Sequence, residues 1–297
     1  MHEIGGIGLN PIILASSAIS SKYAELHGAP GAAVGDIERV VGGTAYVQHY
    51  NGSAIYWRRS QDAFWVHGAI YQRWMEQGGE GSYLGLPRTD EQPWTDPDTN
   101  KAGVISHFDR GAIFFVNDSG ETLEFPARKV FHTSHIGVSS IGGWVQLVLT
   151  SAGSFHYRGH LHNSGFVGLY CTVATAVKIP GTDKAVAARY EANVGGTTSV
   201  DGRDEDWDES GFEQAIRDNW DALGTATQSS STLEAELGGW EVVTLVLLPI
   251  VGAVAFVALV SGGSPSNLDC SFEGTHTVLD GNNHTETTHD GVRCHRR

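Results

Sequence analysis

Three histidines in the middle of the chain, spaced as H-x3-H-x-H, are the first residues whose types and spacing could support chemistry. They are His156, His160 and His162. Because side chains alternate between the two faces of a β-strand, this spacing would place all three imidazoles on one face. Three such imidazoles could bind zinc and leave a fourth position open for water, as a zinc-dependent hydrolase requires. The alternative is a solvated strand face in a chain that has 14 histidines.

An acidic stretch further along the chain carries carboxylates at alternate positions. Asp206, Asp208, Ser210 and Gly211 copy the first half of an EF-hand loop, but the twelfth position is Arg217, where calcium requires a bidentate Glu. This argues against an EF-hand and leaves the hypothesis of a looser calcium site. Its carboxylates are Asp201, Asp204, Asp206 and Asp208. The alternative is a set of acidic side chains near a helix N-terminus, where the helix dipole favours them.

Aromatic and polar side chains in the first hundred residues form the third set that could bind a ligand. Flat rings can stack on sugar faces, while carboxylate and guanidinium groups hydrogen-bond to sugar hydroxyls. The predicted ligand-binding residues are Tyr56, Trp57, Arg59, Asp62, Trp65, His67, Trp74 and Asp90. The alternative is that the rings form the core, and we expect most of them to be buried, with one or two facing ligand.

Composition limits the partners of these side chains. The 297 residues carry a formal net charge of −15, and only 18% of them are charged. An acidic surface argues against nucleic acid, because binding to phosphates by counterion release requires a basic one. The sequence contains no G-x-S-x-G motif and no P-loop, so nothing points to nucleophilic or phosphoryl-transfer chemistry.

An internal repeat within residues 19–126 is expected to position the aromatic set. The segment ISSKY at 19–23 recurs as IYQRW at 70–74, and HYNGSAIYW at 49–57 recurs as HFDRGAIFF at 107–115. Helical spacing of apolar residues in the first pair and alternation in the second predict a short helix followed by aromatic strands. Glycine pairs between them supply the turns.

The tetrapeptide Leu84-Gly85-Leu86-Pro87 and its neighbours carry a family resemblance. Together with Val66-His67-Gly68-Ala69-Ile70 before it and Thr89-Asp90-Glu91 after it, the segment resembles the LGFP repeat family, named for a Leu-Gly-Phe-Pro motif. The first unit has Val34-Gly35-Asp36-Ile37 instead, and a partial third unit lacks its helix and ends near Pro126. The resemblance implies a non-catalytic surface module of actinobacteria and other bacteria that holds proteins on the cell wall.

The rest of the chain is expected to continue a mainly β protein with short helices. Strands predicted at 144–149, 154–160, 169–178 and 185–192 favour a small antiparallel β-sandwich or barrel over residues 127–200. Residues 201–241, with twelve Asp and Glu against two Arg, are predicted to be an acidic linker. This linker is predicted to hold one amphipathic helix near 211–223, begun by a capping box at Ser210 and Glu213.

Residues 242–260 form a run of 19 residues without charge, which is long enough for a transmembrane helix. The alternative is a buried core helix or hairpin of a globular domain, which the many valines favour. The tail at 261–297 is polar, and its Cys270 and Cys294 could form a disulfide or remain free thiols. The N-terminal segment, 1–18, lacks the basic region of a secretory signal.

The leading hypothesis is a non-enzymatic bacterial surface protein whose repeats bind cell-wall polysaccharide or a surface protein. It would lie at the cell surface or outside the cell, in contact with a membrane if 242–260 inserts, and it could form a homo-oligomer. A second hypothesis is a membrane-inserting or pore-forming effector that uses 242–260. A third is the zinc hydrolase built on the three histidines. The leading hypothesis requires no cofactor, whereas the two candidate metal sites would take zinc or calcium.

Overall fold

A computed structural model describes residues 10–236, apart from residues 41, 44, 60, 183 and 228, together with five short strands of the C-terminal part. The chain divides into two compact units, Met1–Ala127 and Arg128–Arg297. The predicted mainly β class is confirmed, since strands account for 52% of the structure and its four helices are short.

The first unit begins with a helix followed by a four-stranded antiparallel sheet. Helix α1 spans Pro11–Glu25, and the Asn10 side chain caps it by accepting a hydrogen bond from the backbone N–H of Ile12. The sheet that follows has the strand order β1-β2-β3-β4. Its strands are β1 (Ala33–Arg39), β2 (Ala45–Tyr50), β3 (Ser53–Arg58) and β4 (Ala63–His67).

The same arrangement then occurs a second time. Helix α2 spans Gly68–Glu76, and a single 3-10 turn follows at Gly79–Gly81. The second sheet has the order β5-β6-β7-β8, again antiparallel throughout. Its strands are β5 (Gln92–Thr95), β6 (Ala102–Phe108), β7 (Gly111–Val116) and β8 (Thr122–Pro126). The first unit therefore holds two copies of a helix followed by a four-stranded meander.

The tetrapeptide at 84–87 lies between helix α2 and the second sheet. Leu84 is fully buried and Leu86 nearly so, while Gly85 has a φ of +75°, which only glycine adopts without strain. A Cβ added to Gly85 would lie 3.0 Å from the Cβ of Asp109, so its lack of a side chain also allows this close approach. The Trp74 indole N–H donates to the Gly85 carbonyl at 3.2 Å, which fixes the turn to the helix.

The second unit contains two further four-stranded sheets. One has the order β14-β11-β10-β9 and the other the order β15-β12-β13-β16. The strands up to β13 are β9 (Arg128–Val138), β10 (Ile141–Thr150), β11 (Ser154–Asn163), β12 (Leu169–Lys178) and β13 (Lys184–Val194). The later strands are β14 (Asp204–Phe212), β15 (Ser229–Glu236) and β16 (Ala255–Val260).

Side chains of these two sheets contact one another through a row of hydroxyl groups. Tyr157 on β11 lies 3.2 Å from the Thr175 hydroxyl on β12, and Thr133 on β9 lies 2.9 Å from the Ser231 hydroxyl on β15. Two sheets in contact across a common core form a sandwich, one of the two architectures expected. The barrel alternative is not supported, because the described strands do not close one.

The acidic segment differs from the predicted linker with one helix. Its first part is strand β14, which pairs with β11, and its last part is strand β15, which pairs with β12. The predicted helix is two short helices, α3 (Gln214–Asp218) and α4 (Trp220–Leu223). Ser210 lies in β14, so the capping box does not form, and the Glu213 side chain caps α3 by accepting from the N–H of Ala215.

Two features explain the error in the acidic segment. Charged side chains occur at consecutive positions of β14 and only Trp207 is buried, so alternation of hydrophobic residues could not reveal the strand. The apolar residues expected on one helix face behave differently, since Ile216, Trp220 and Leu223 are buried whereas Phe212 is 59% exposed.

The hydrophobic run falls mostly outside the described residues. Its last six residues, Ala255–Val260, form strand β16, which pairs in parallel with β13 and is not helical as the transmembrane prediction requires. Among the described residues, no helix has the length and apolar character needed to cross a bilayer. The C-terminal strands are β17 (Leu268–Phe272), β18 (Thr275–Leu279), β19 (Thr285–His289) and β20 (Val292–Arg296). The backbone pairing of β17 with β20 places Cys270 opposite Cys294.

Candidate ligand-binding site

A cleft of about 460 Å³ opens on the first unit, between helix α1, the turn from β3 to β4, and the segment that follows the tetrapeptide. Its volume lies at the lower end of the range for small-molecule sites. The side chains and backbone that line it are those of Ala18, Ser21, Lys22, Glu25, Gln61, Asp62, Ala63, Phe64, Thr89, Asp90 and Gln92. Most of these residues are polar, so the cleft suits a ligand that forms many hydrogen bonds.

Lys22 is the central cation of the cleft. It lies three residues after Ile19 on the buried face of helix α1, and only 8% of it is exposed. Its ammonium group pairs with Glu25 at 2.9 Å and with Asp90. Burial by itself would lower the pKa of Lys22, but the hydrogen bonds to Asp90 and Glu25 outweigh it, so the pKa is raised. The lysine therefore stays charged, with its charge matched by these two carboxylates.

Asp90 joins the two repeats at this point. One carboxylate oxygen pairs with Lys22, and the other accepts a hydrogen bond of 2.7 Å from the backbone N–H of Trp65 on β4. Asp90 itself comes from the segment between the tetrapeptide and β5, which begins the second sheet. The wall of the cleft is thus completed by a residue from the next repeat along the chain.

The turn from β3 to β4 supplies the outer wall. Asp62 is exposed, and the Phe64 ring is half-buried. A flat apolar ring beside carboxylate and amide groups matches what a sugar presents, namely an apolar ring face and a rim of hydroxyls. The geometry can therefore bind a sugar ring by stacking and hydrogen bonding.

Three of the predicted ligand-binding aromatic residues belong to the core instead. Trp74 is fully buried, and Tyr56 and Trp57 are at most 7% exposed. The Tyr56 and Trp74 rings meet edge to face with centroids 5.2 Å apart, and the Tyr56 hydroxyl donates to Glu80 at 3.3 Å. Burial and the nearby Glu80 carboxylate raise the pKa of Tyr56, so its hydroxyl stays protonated. These rings hold helix α2 on the first sheet.

Trp65 and His67 form a stacked pair on strand β4. Their ring centroids are 3.7 Å apart, and the His67 Nε2 lies 3.5 Å from a Glu91 oxygen. Burial lowers the pKa of His67, and burial raises the pKa of Glu91 to about 7. Near pH 7 the His67 imidazole is therefore neutral, and the Glu91 carboxyl is about half protonated. Neither Trp65 nor His67 is among the residues that line the cleft.

Of the predicted ligand-binding residues, Asp62 and Asp90 line the cleft together, whereas the exposed Arg59 does not line it. The sequence prediction missed the residues from helix α1 and the Phe64 ring. One signal was present for Lys22, since helical spacing places it on the face of Ile19 and beside Glu25 one turn later.

The histidine and aspartate sets predicted as two separate metal sites lie side by side in the second unit. Strand β14 pairs with β11 in a register that places Asp204 opposite His162 and Asp206 opposite His160. The His162 Nδ1 lies 2.7 Å from an Asp204 oxygen, and the His160 Nδ1 lies 2.9 Å from an Asp206 oxygen. His156 and Asp208 are further apart, at 3.7 Å. The imidazole nitrogens thus bond to carboxylates on the neighbouring strand.

These contacts change the interpretation of both metal predictions. The hydrogen bond from His162 lowers the pKa of Asp204. Within the described part of the chain, no group of three or more His, Cys, Asp or Glu side chains has an arrangement that could hold a metal ion. The predicted calcium residue Asp201 lies outside β14, in the preceding turn. The structure therefore pairs two of the predicted histidines with two of the predicted aspartates by hydrogen bonds, His162 with Asp204 and His160 with Asp206.

Comparison with known sequences gives a partial assignment. No curated protein matches the chain significantly. A family model does match residues 31–82, which comprise the first sheet, helix α2 and the 3-10 turn. The matched segment lies within the repeat region that carried the resemblance. The family that this segment matches is the LGFP repeat, a type of repeat associated with the cell wall and cell surface.

Proposed function

We propose that the protein acts at the bacterial cell surface as a non-enzymatic module that binds cell-wall polysaccharide in the cleft beside Lys22. The observation that carries this proposal is the lining of the cleft, in which one aromatic ring lies among carboxylate, amide and hydroxyl groups. The LGFP repeat at 31–82 supports the location, because that family is associated with the cell wall and surface. The LGFP family is also not an enzyme family.

The chemistry of the cleft favours a hydroxyl-rich ligand over an apolar one. Gln61 and Gln92 offer both donors and acceptors, and Ser21 and Thr89 add hydroxyl groups. A sugar can exchange its bonds to water for bonds to these groups, while one of its faces covers the Phe64 ring. An apolar ligand would displace water from these polar groups without replacing its hydrogen bonds, which costs free energy.

The position of Asp90 adds a requirement for two consecutive repeats. Because Asp90 belongs to the segment that begins the second sheet, the first helix and sheet alone do not form the whole cleft. Binding at the junction of repeats is consistent with an array in which each added repeat completes the site of the one before it.

The experiment that tests the proposal is cosedimentation of the full-length chain with purified, insoluble cell-wall polysaccharide. The variant Ser21→Trp places a large side chain at an exposed helical position that lines the cleft. Its matched control is Ser20→Trp, at the neighbouring exposed position of the same helix, which does not line the cleft. We expect the wild type and Ser20→Trp to sediment with the polysaccharide and Ser21→Trp to remain in solution.

Two results would contradict the proposal. One is a wild-type chain that is retained no better than an unrelated acidic protein of similar size. The other is equal retention of the Ser20→Trp and Ser21→Trp variants, which would place any binding elsewhere. Circular dichroism and thermal unfolding of both variants establish that each remains folded.

A further inference from the structure

The charge of the cleft restricts which sugars it can accept. Its lining carries three carboxylates, from Glu25, Asp62 and Asp90, and one ammonium group, from Lys22. The ammonium group is already paired with Glu25 and Asp90 and is only 8% exposed. No positive charge of the cleft lining is left over for an anionic ligand.

Asp62 is the carboxylate that remains for a ligand. It is exposed on the turn from β3 to β4, and within the described residues it forms no side-chain hydrogen bond or ion pair. The half-buried Phe64 ring lies two residues away and lines the same cleft. A cleft lined by both a carboxylate and an aromatic ring can attract an ammonium group, by charge pairing with the carboxylate and by cation–π interaction with the ring.

We infer that the cleft recognises a sugar bearing a free amine, with the ammonium group at Asp62 and Phe64. This inference rests on the proposed function, since it names the class of polysaccharide that the same cleft takes. A polymer of sugar acids or of sugar phosphates would meet the negative lining and bind more weakly. An N-acetylated sugar would keep its hydroxyl contacts but lose the charge interaction.

Calorimetric titration of the full-length chain with three short oligosaccharides tests this inference. The probes are a tetramer of glucosamine, its fully N-acetylated counterpart and a tetramer of glucuronic acid, all at pH 6 and low ionic strength. An exposed ion pair contributes up to about 1 kcal/mol, so we expect about fivefold tighter binding of the amine than of the acetylated tetramer. The acid should bind most weakly, and added salt should reduce the preference.

The variant Asp62→Asn removes the charge and should make the amine and acetylated tetramers bind equally. Asp118→Asn is the matched control, because Asp118 is exposed on the corresponding turn of the second sheet and does not line the cleft. It should keep the full preference. Both exposed substitutions are expected to leave the fold intact, which thermal unfolding checks.

Three outcomes would overturn the inference and leave the proposed function in place. They are equal or tighter binding of the acetylated tetramer, a preference that survives in Asp62→Asn, and failure of the amine tetramer to bind a chain that still sediments with cell-wall polysaccharide. If the wild-type chain binds neither the tetramers nor the polysaccharide, the proposed function fails together with this inference.

Discussion

The two helix-and-sheet repeats of the first unit place a cation at the same position of their helices but pair it differently. Counting three residues from Ile19 and from Ile70 gives Lys22 and Arg73, and each pairs with a glutamate one turn later. Lys22 then reaches Asp90, from the next repeat. Arg73 instead pairs with Glu124, on the last strand of its own sheet, at 2.6 Å.

The residues on the sheets explain this difference. Trp65 on β4 and Glu124 on β8 occupy corresponding positions, since they pair across the hairpin with Ile55 and Ile113. A tryptophan cannot neutralise the helix cation, so the first repeat uses its backbone N–H at this position to hold Asp90. A glutamate can neutralise it, and in the second repeat the Arg73–Glu124 ion pair joins helix α2 directly to strand β8. In the first repeat, the cleft wall therefore includes a carboxylate that comes from the second repeat, that of Asp90.

The largest loss of stability is expected from changes at the helix position where each repeat has an aromatic ring, Tyr23 in the first and Trp74 in the second. Trp74→Ala should lower the free energy of unfolding by about 3–5 kcal/mol, because Trp74 is fully buried between Tyr56 and Phe108. Its counterpart Tyr23 is only half-buried and stacks on Tyr50, so Tyr23→Ala should cost less. Urea unfolding of the full chain measures both, and an equal loss would contradict the comparison.

A second test compares the glycine of the tetrapeptide at 84–87 with the glycine of the corresponding segment of the first unit, 34–37. Gly85→Ala and Gly35→Ala both place alanine at a positive φ, +75° and +70°, and each should cost about 1 kcal/mol for that reason. A Cβ at Gly85 would also press on Asp109, whereas nothing lies within 4 Å of one at Gly35. We therefore expect a total loss of about 2–3 kcal/mol for Gly85→Ala. Thermal or urea unfolding would refute this if Gly35→Ala were the more damaging change.

The third test removes the negative charge from the residue that pairs with each helix cation, Glu124 for Arg73 and Asp90 for Lys22. Glu124 has 17% of its side chain exposed and also accepts a hydrogen bond from Tyr83, so Glu124→Gln should cost about 2 kcal/mol. Asp90→Asn keeps an oxygen for the Trp65 N–H and should cost about 1 kcal/mol, but it should weaken polysaccharide retention. Unfolding and cosedimentation separate the two roles. If Glu124→Gln lost polysaccharide retention and Asp90→Asn kept it, the assignment of the binding role to Asp90 would be wrong.

The smallest expected effect is a change of folding stability with pH. Burial raises the pKa of Glu91 from its usual value to about 7 in the folded chain. The folded state therefore holds this proton more tightly than the unfolded state does, and the stability it contributes is complete below about pH 4 and lost as pH rises through 7. The lowered pKa of His67 acts in the opposite direction, so its contribution is lost as pH falls.

Comparison with Glu91→Gln isolates the glutamate. Between pH 4 and 7 the wild type should lose on the order of 1 kcal/mol relative to this variant, a value that allows for partial solvent screening. Urea unfolding at several pH values measures the difference. Parallel stability curves for the two proteins would show that Glu91 ionises normally in the folded chain.

The sequence predicted those parts of the fold that depend on local pattern. The recurrence of 19–23 at 70–74 indicated the helices, and alternation within 49–57 and 107–115 indicated strands, because helix and strand each place side chains with a fixed period. Strand β14 escaped prediction because acidic side chains occupy both of its faces. Its alternation carries no hydrophobic signal, and only pairing with β11 makes it a strand.

The candidate site was predictable only in part. Asp62 and Asp90 were recognised, but the rings expected beside them are needed in the core, since Tyr56, Trp57 and Trp74 are the side chains that bury the repeat interior. Composition cannot distinguish a ring that packs from a ring that binds. That choice depends on which face of each strand the helix covers.

The sequence by itself determined the repeat, the mainly β class, the acidic charge and the shared face of His156, His160 and His162. These follow from residue type and short spacing along one chain segment. The tertiary structure alone decided that Lys22 meets Asp90 and that the three histidines face Asp204, Asp206 and Asp208. Such contacts join residues that are far apart in the chain, and strand register and helix packing, which act over distance, bring them together.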